Sequence, residues 1–234
     1  MDFGVPRLRL SFPSVTEQFP FESFAALNNL AICRHVFTQR IPGIDVSHGK
    51  DEALNRLEVA HHQIRRSIGV GGWPLLMAEQ IHGNKIAIVD QPLESNKELA
   101  GYDGFITKQR GIALAIHVAD CCAVYIVDPK TPAIGLVHSG RKGTELNIVG
   151  SAVEQMAAQF GSGVTDLIVQ LSPCIRPPHY EIDFAAEIIK QCRARGVRKI
   201  HDSGVCTACD LDQYYSYRAE KGKTGRMLAL LALR

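Results

Sequence analysis

Apolar positions recur at helical spacing between residues 51 and 68, where Leu54, Leu57, His61, Ile64 and Ile68 share one face and Asp51 stands where an N-cap would. Gly69, Gly71 and Gly72 end that helix. The pattern then shortens into runs rich in β-branched residues at 85–90, 104–107, 112–118, 123–128 and 133–138, separated by Gly, Pro, Asp or Lys, which predict strands. Helical spacing returns over 145–160 on Ile148, Val149, Ala152, Val153, Met156 and Phe160. A strand at 167–171, a helix near 183–195 and a last apolar strand at 227–233 complete the pattern. Several adjacent strands flanked by helices predict a mixed α/β (α+β) fold in which helices cover sheet, not a regular βαβ repeat. Without an internal repeat, a low-complexity tract or a long Pro/Gly/Ser linker, one domain over 1–234 is the simplest organisation.

Composition narrows the function classes. The 234 residues are 46% hydrophobic and 21% charged, with 26 Lys+Arg against 24 Asp+Glu, a formal net charge of +2. That balance, without a block of like charge, argues against a nucleic-acid partner. Arg193, Arg195, Arg198 and Lys199 read as a solvated helix end. The most apolar stretch, 112–127, is interrupted by His117 and Asp120, so no membrane span is expected. The start, Met1-Asp2-Phe3-Gly4, does not resemble a secretory signal. Seven cysteines, an odd number that includes the adjacent Cys121 and Cys122, do not suggest a disulfide framework; a reducing, cytoplasmic setting is expected.

Candidate chemistry concentrates at strand ends. Ala119-Asp120-Cys121-Cys122 falls between two strand-like runs, where a tight turn would present side chains at a sheet edge. His138 follows Cys121 by 17 residues, before the glycine-flanked turn Ser139-Gly140-Arg141-Lys142-Gly143. If the strands at 123–128 and 133–137 form a hairpin, Cys121 and His138 lie at the same end. His82, in Gln80-Ile81-His82-Gly83, opens another strand. One Cys and two His could hold a zinc ion with a fourth position open for water or substrate. A thiol beside an imidazole is equally the core of a cysteine hydrolase or deamidase. Spacing does not choose between them.

Other features invite structural readings. Cys206-Thr207-Ala208-Cys209 is a CxxC without a second pair at zinc-ribbon spacing. Ser172-Pro173-Cys174-Ile175 precedes a stiff loop through His179, Tyr180 and Glu181 that could wall a pocket. Arg40, Arg218 and Arg226 are candidate anion clamps. His61, His62 and His117 read as packing or surface residues.

Taken in order, Gln80-Ile81-His82-Gly83, Asp103-Gly104-Phe105-Ile106-Thr107, Ala119-Asp120-Cys121, His138 to Gly143, Ser172-Pro173-Cys174-Ile175 with Tyr180-Glu181, and Tyr217-Arg218 with Thr224-Gly225-Arg226 resemble the YfiH/YlmD-like laccase-domain family over roughly residues 33–234. The resemblance implies a single-domain layered α/β/β/α sandwich and one zinc ion on His82, Cys121 and His138. It implies purine nucleosides and phosphate as small-molecule partners, since family members have been assigned purine nucleoside and methylthioadenosine phosphorylase and adenosine deaminase activities. Copper-dependent polyphenol oxidation is the alternative. A multicopper centre needs many closely spaced histidines, whereas nine scattered ones without an HxH pair suit a single Cys/His/His zinc site better.

For phosphorolysis, Arg40, Lys142 and Arg226 are the candidates to hold phosphate, with Gln80 a further substrate-binding candidate and Arg40 and Lys142 counted as catalytic. For deamination Asp120 would carry the proton, since the H-x-E and P-C-x-x-C pairing of cytidine-type deaminases is missing. The family's HAGWRG reads His138-Ser139-Gly140-Arg141-Lys142-Gly143 here, so a flat guanidinium fork becomes a point charge. Cys122 stands where an aliphatic residue is usual. These departures leave a catalytically degraded nucleoside-binding protein as a further alternative, and the oligomeric state open.

Overall fold

The computed structural model describes residues 19–234. The reading of the extreme N-terminus and the first part of the 1–234 domain fall outside the described residues. In chain order the elements are β1 (Phe21–Glu22), α1 (Ala25–Asn28), β2 (Cys33–Thr38), α2 (Lys50–Ser67), β3 (Leu75–Ala78), β4 (Ile86–Val89), β5 (Lys97–Leu99), β6 (Gly104–Thr107), β7 (Ala113–Val118), β8 (Cys122–Asp128), β9 (Ala133–Ser139), α3 (Arg141–Glu145), α4 (Ile148–Phe160), β10 (Ile168–Leu171), α5 (Phe184–Ala194), β11 (Lys199–Asp202) and β12 (Met227–Leu233).

They build two six-stranded sheets, ordered β1-β2-β12-β7-β3-β5 and β11-β10-β8-β9-β6-β4. The expected α/β/β/α sandwich follows from where β8 turns its side chains. Ala123, Tyr125 and Val127 join the apolar core shared with the first sheet, while Val124 and Ile126 join a second core with α4 and α5. All seven β8 residues are buried, which is why this run reads as continuously apolar. Tyr125 lies between the sheets, and its hydroxyl donates to the Val36 carbonyl at 2.8 Å. On the outer face of the first sheet α2 buries Ala53, Leu57, Ala60, His61 and Ile64.

Several boundaries differ from the sequence reading. Gly49, not Asp51, is the N-cap of α2; Asp51 and Glu52 occupy the first turn, where carboxylates favour the positive end of the helix dipole. The helix expected over 145–160 is α4, which starts at Ile148 because Asn147 takes a left-handed conformation (φ 56°) between it and α3. The glycine turn after His138 is itself partly helical, with Gly140 capping α3. At α5 the Asp183 side chain accepts from Ala186 N–H at 2.9 Å, a regular N-cap. The proposed hairpin is present: β8 and β9 pair antiparallel with Ala123 opposite His138.

One feature of the topology positions the site. β3, β5 and β7 are mutually parallel in the first sheet, so their C-terminal ends share one edge. Each is followed by a strand of the second sheet, β4, β6 and β8 respectively. The three crossings therefore bring residues 80–83, 103 and 119–121 to the same end, where β9 also finishes, with Val137 opposite Gly104 of β6.

Candidate metal and substrate site

His82 lies on the β3–β4 crossing, Cys121 on the β7–β8 crossing and His138 near the end of β9. One donor atom from each lies within 4.8 Å of the other two. The His82 and His138 rings meet edge to face with centroids 4.8 Å apart. The crossings are tight, and three of the five described non-glycine residues with positive φ are here: Gln80 (63°), His82 (61°) and Asp120 (83°). Left-handed backbone at such residues carries strain that the surrounding hydrogen bonds must hold, a common mark of a functional site.

Asp103, fully buried on the third crossing, supplies that hold. It accepts from His82 N–H at 2.8 Å and Gly83 N–H at 2.7 Å. Its Oδ1 also lies 2.9 Å from His138 Nδ1. Committing Nδ1 to the carboxylate leaves Nε2 of His138 as the free donor, the usual carboxylate–histidine–metal relay. Sequence reasoning noted Asp103 only as part of a motif; an acidic residue entering the strand at 104–107 was the available signal.

Charge couples the three side chains. Burial pushes the Cys121 thiol up, but the neighbouring His138 charge and hydrogen bonds from His138 and His82 outweigh it and bring it down to about 6. Burial lowers His138, yet Cys121 and Asp103 outweigh that and raise it to about 9. Near neutral pH the side chains thus form a thiolate–imidazolium pair. A thiolate is the state in which cysteine ligates metal. It is equally the nucleophile of a cysteine hydrolase, but that dyad does not require the third donor, His82. One sulfur and two imidazole nitrogens suit zinc with a coordination position left open.

The donors border a cavity of about 700 Å³. Lys50, Lys142, Arg218 and Arg226 bring positive charge to its wall, and Tyr180, Phe184 and Tyr217 bring aromatic surface. Of the sequence-derived candidates, Gln80, Asp120, Lys142 and Arg226 line it, whereas Arg40 is not part of the lining. Arg40 donates to Glu220 at 2.7 Å and to the Tyr214 carbonyl, and stacks on Tyr215. Arg218 lies over Tyr180 with both Glu181 oxygens at 3.0 Å. The Gln80 amide is committed to the His117 backbone, donating to its carbonyl at 2.7 Å and accepting from its N–H at 3.0 Å. Asp120 accepts from Thr207 Oγ1 and from Arg218 N–H, each at 2.7 Å, tying the β7–β8 crossing to the C-terminal loops. Thr207, the second residue of the CxxC run, thereby has a positioning contact that the spacing gave no hint of. All seven cysteines are free thiols.

No helix among the described residues is long and apolar enough to cross a membrane. The model of the family described as multi-copper polyphenol oxidoreductase laccase matches residues 34–187 and 182–234. A purine nucleoside phosphorylase of Corynebacterium glutamicum is 27% identical over 86% of this chain and 94% of its own. The purine nucleoside phosphorylase YlmD of Geobacillus stearothermophilus is 29% identical over 67% of this chain and 71% of its own. Among solved structures, Bacillus licheniformis YfiH superposes with a TM-score of 0.76 at 20% identity, covering 92% of this chain and 99% of that one. YlmD from Geobacillus stearothermophilus gives 0.73 at 24% identity, covering 88% and 93%. With the family model spanning nearly every described residue and both solved neighbours sharing the fold, this chain belongs to the multi-copper polyphenol oxidoreductase laccase family, the laccase-domain family of YfiH and YlmD.

Proposed function

We propose that the protein is a zinc-dependent purine nucleoside phosphorylase, with His82, Cys121 and His138 as the zinc ligands and adenosine deamination as a second activity. The observation that carries this reading is the convergence of three N and S donors at the border of a cavity of about 700 Å³, inside the roughly 300–1,000 Å³ range of small-molecule sites. The names of the relatives from Corynebacterium and Geobacillus support the choice of reaction. When bound, zinc supplies a Lewis-acidic position able to polarise an oxygen of phosphate or substrate.

The chain's own groups do the rest. Lys142 and Arg226 line the cavity, and Arg226 is braced there by its bonds to the Thr224 and Gly225 carbonyls, so both are placed to hold phosphate against the sugar. Tyr180, Phe184 and Tyr217 offer faces on which a purine can stack while the C–N bond breaks. Asp103 keeps the His138 proton at Nδ1 and so fixes which nitrogen faces the site. Arg40, paired with Glu220, acts at a distance by bracing the C-terminal loops. Asp120, whose own backbone is left-handed, orients the adjoining Cys121 and is the proposed proton carrier for deamination.

The deciding experiment incubates purified protein with adenosine and with inosine, with and without phosphate. Phosphate-dependent release of free base and ribose 1-phosphate supports the reading, and inosine formed from adenosine without phosphate supports the second activity. Oxygen uptake with a phenol and copper in the protein, with no nucleoside turnover, would replace it by the oxidase reading.

A further inference from the structure

The cavity wall also holds an imidazole, His117, that the proposed reaction has not used. His117 is the only β7 residue not fully buried, and it lines the cavity together with Lys50 and Arg226. Its backbone is fixed on both sides by the Gln80 amide, two residues from the ligand His82. The ring makes no hydrogen bond to another described residue. Behind it, His61 of α2 stacks with centroids 5.9 Å apart and an interplanar angle of 27°. His61 is itself buried with Nε2 unpartnered, so the helix offers the pair no hydrogen bond either.

An imidazole clamped by its backbone, buttressed by a second ring and left without a protein partner is placed to meet a ligand. Its chemistry selects the kind. Burial and the adjacent Lys50 and Arg226 hold His117 down at about 4, so it is neutral at physiological pH. A neutral imidazole offers one N–H donor and one nitrogen acceptor. That complements a ribose hydroxyl or a purine ring nitrogen, whereas an anion is better served by the two cations beside it.

We propose that His117 is a specificity-determining residue that hydrogen-bonds the nucleoside, not the phosphate, and that His61 buttresses it. The proposal rests on the nucleoside reading of the cavity, and the test separates the two. His117→Phe keeps a ring against His61 but removes both nitrogens, while His117→Gln keeps a donor and an acceptor. Steady-state kinetics on zinc-loaded protein would give separate KM values for inosine and phosphate, with equilibrium dialysis of labelled inosine as a direct binding measurement and thermal melting to verify folding. His117→Phe should raise the inosine KM and weaken inosine binding about tenfold, the effect of losing one hydrogen bond. It should leave the phosphate KM unchanged, and His117→Gln should recover part of the loss. If the Phe variant does not fold, the Gln variant carries the test with a smaller shift in the inosine KM alone. Inosine values unchanged in both variants, or a shift in the phosphate KM instead, overturn the role of His117 while nucleoside chemistry stands. Wild-type protein that neither converts nor binds inosine or adenosine overturns both.

Discussion

Gly140 is the residue whose replacement should separate metal binding from folding. Its backbone is extended (φ −95°, ψ −167°), so any residue could adopt it, and the constraint is purely one of space. A Cβ at this position would lie 2.5 Å from Cys121 Sγ and 3.6 Å from His82 Cδ2. Ordinary contact begins near 3.4 Å, so the sulfur in Gly140→Ala must retreat by about 0.9 Å. Metal–ligand distances in a working site hold to about 0.2 Å, so the displacement is several times the tolerance. Rotation of the Cys121 side chain relieves the clash cheaply in metal-free protein but takes the thiolate out of reach of the two histidines. Gly140→Ala should therefore melt within a few degrees of wild type when both are metal-free, and bind zinc at least about 100-fold more weakly. Competition against a chromophoric chelator, beside thermal melts with and without metal, reads both quantities. Wild-type zinc affinity in the variant would refute the placement of Cys121 Sγ against Gly140 and, with it, the geometry of the site.

Further predictions concern the support around the site and the core. Asp103→Asn keeps one acceptor oxygen and puts an NH2 group either where His82 and His138 present hydrogens or where Gly83 does, and should cost about 10–100-fold in zinc affinity by the same chelator competition; unchanged affinity would remove Asp103 from the support of the three donors. Burial depresses the pKa values of His35, His61 and His117 to about 4, 3 and 4, below the ordinary value near 6.5. Between those limits the unfolded chain takes up protons that the folded chain refuses, so their stability is present above about pH 6.5 and is lost as pH falls toward 4. The loss reaches about 1.4 kcal/mol per pH unit for each histidine, and urea unfolding that stays flat from neutral to about pH 5 would contradict it. Tyr125→Phe removes the hydroxyl contact to Val36 between the sheets and should cost about 1 kcal/mol, some 2–4 °C in melting temperature, whereas an unchanged melt would show that this contact contributes nothing.

Local pattern carried the sequence reading where an element has one dominant environment. α2, α4 and α5 each bury a stripe at helical spacing, and β8 and β9 are buried along their whole length, so the helical period and the continuous apolar runs both stand out. Cys121, His82 and His138 stand out as candidates because each lies where a strand-like run meets a turn. Legibility ended where long-range pairing decides. β12 inserts between β2 and β7, joining chain regions more than 100 residues apart, and no local signal specifies that place. β2 reads as Cys-Arg-His-Val-Phe-Thr, a run whose polar residues are buried or half-buried, with His35 accepting from Phe24 N–H at 2.8 Å, so it lacks the alternation of a strand facing water. Arg40 looked like an anion clamp because its partner Glu220 lies 180 residues away. Asp103 went without a role because its work is done through contacts to three other segments of chain.

The central claim is that Cys121, His82 and His138 hold one zinc ion and leave it an open position. X-ray absorption at the zinc edge, on protein purified without added metal, tests it most directly. One zinc per chain, with a single sulfur neighbour near 2.3 Å and nitrogen or oxygen neighbours near 2.0–2.1 Å, is the predicted spectrum, and the sulfur contribution should vanish in Cys121→Ser. Copper in place of zinc, or a zinc spectrum without sulfur that Cys121→Ser leaves unchanged, would contradict it.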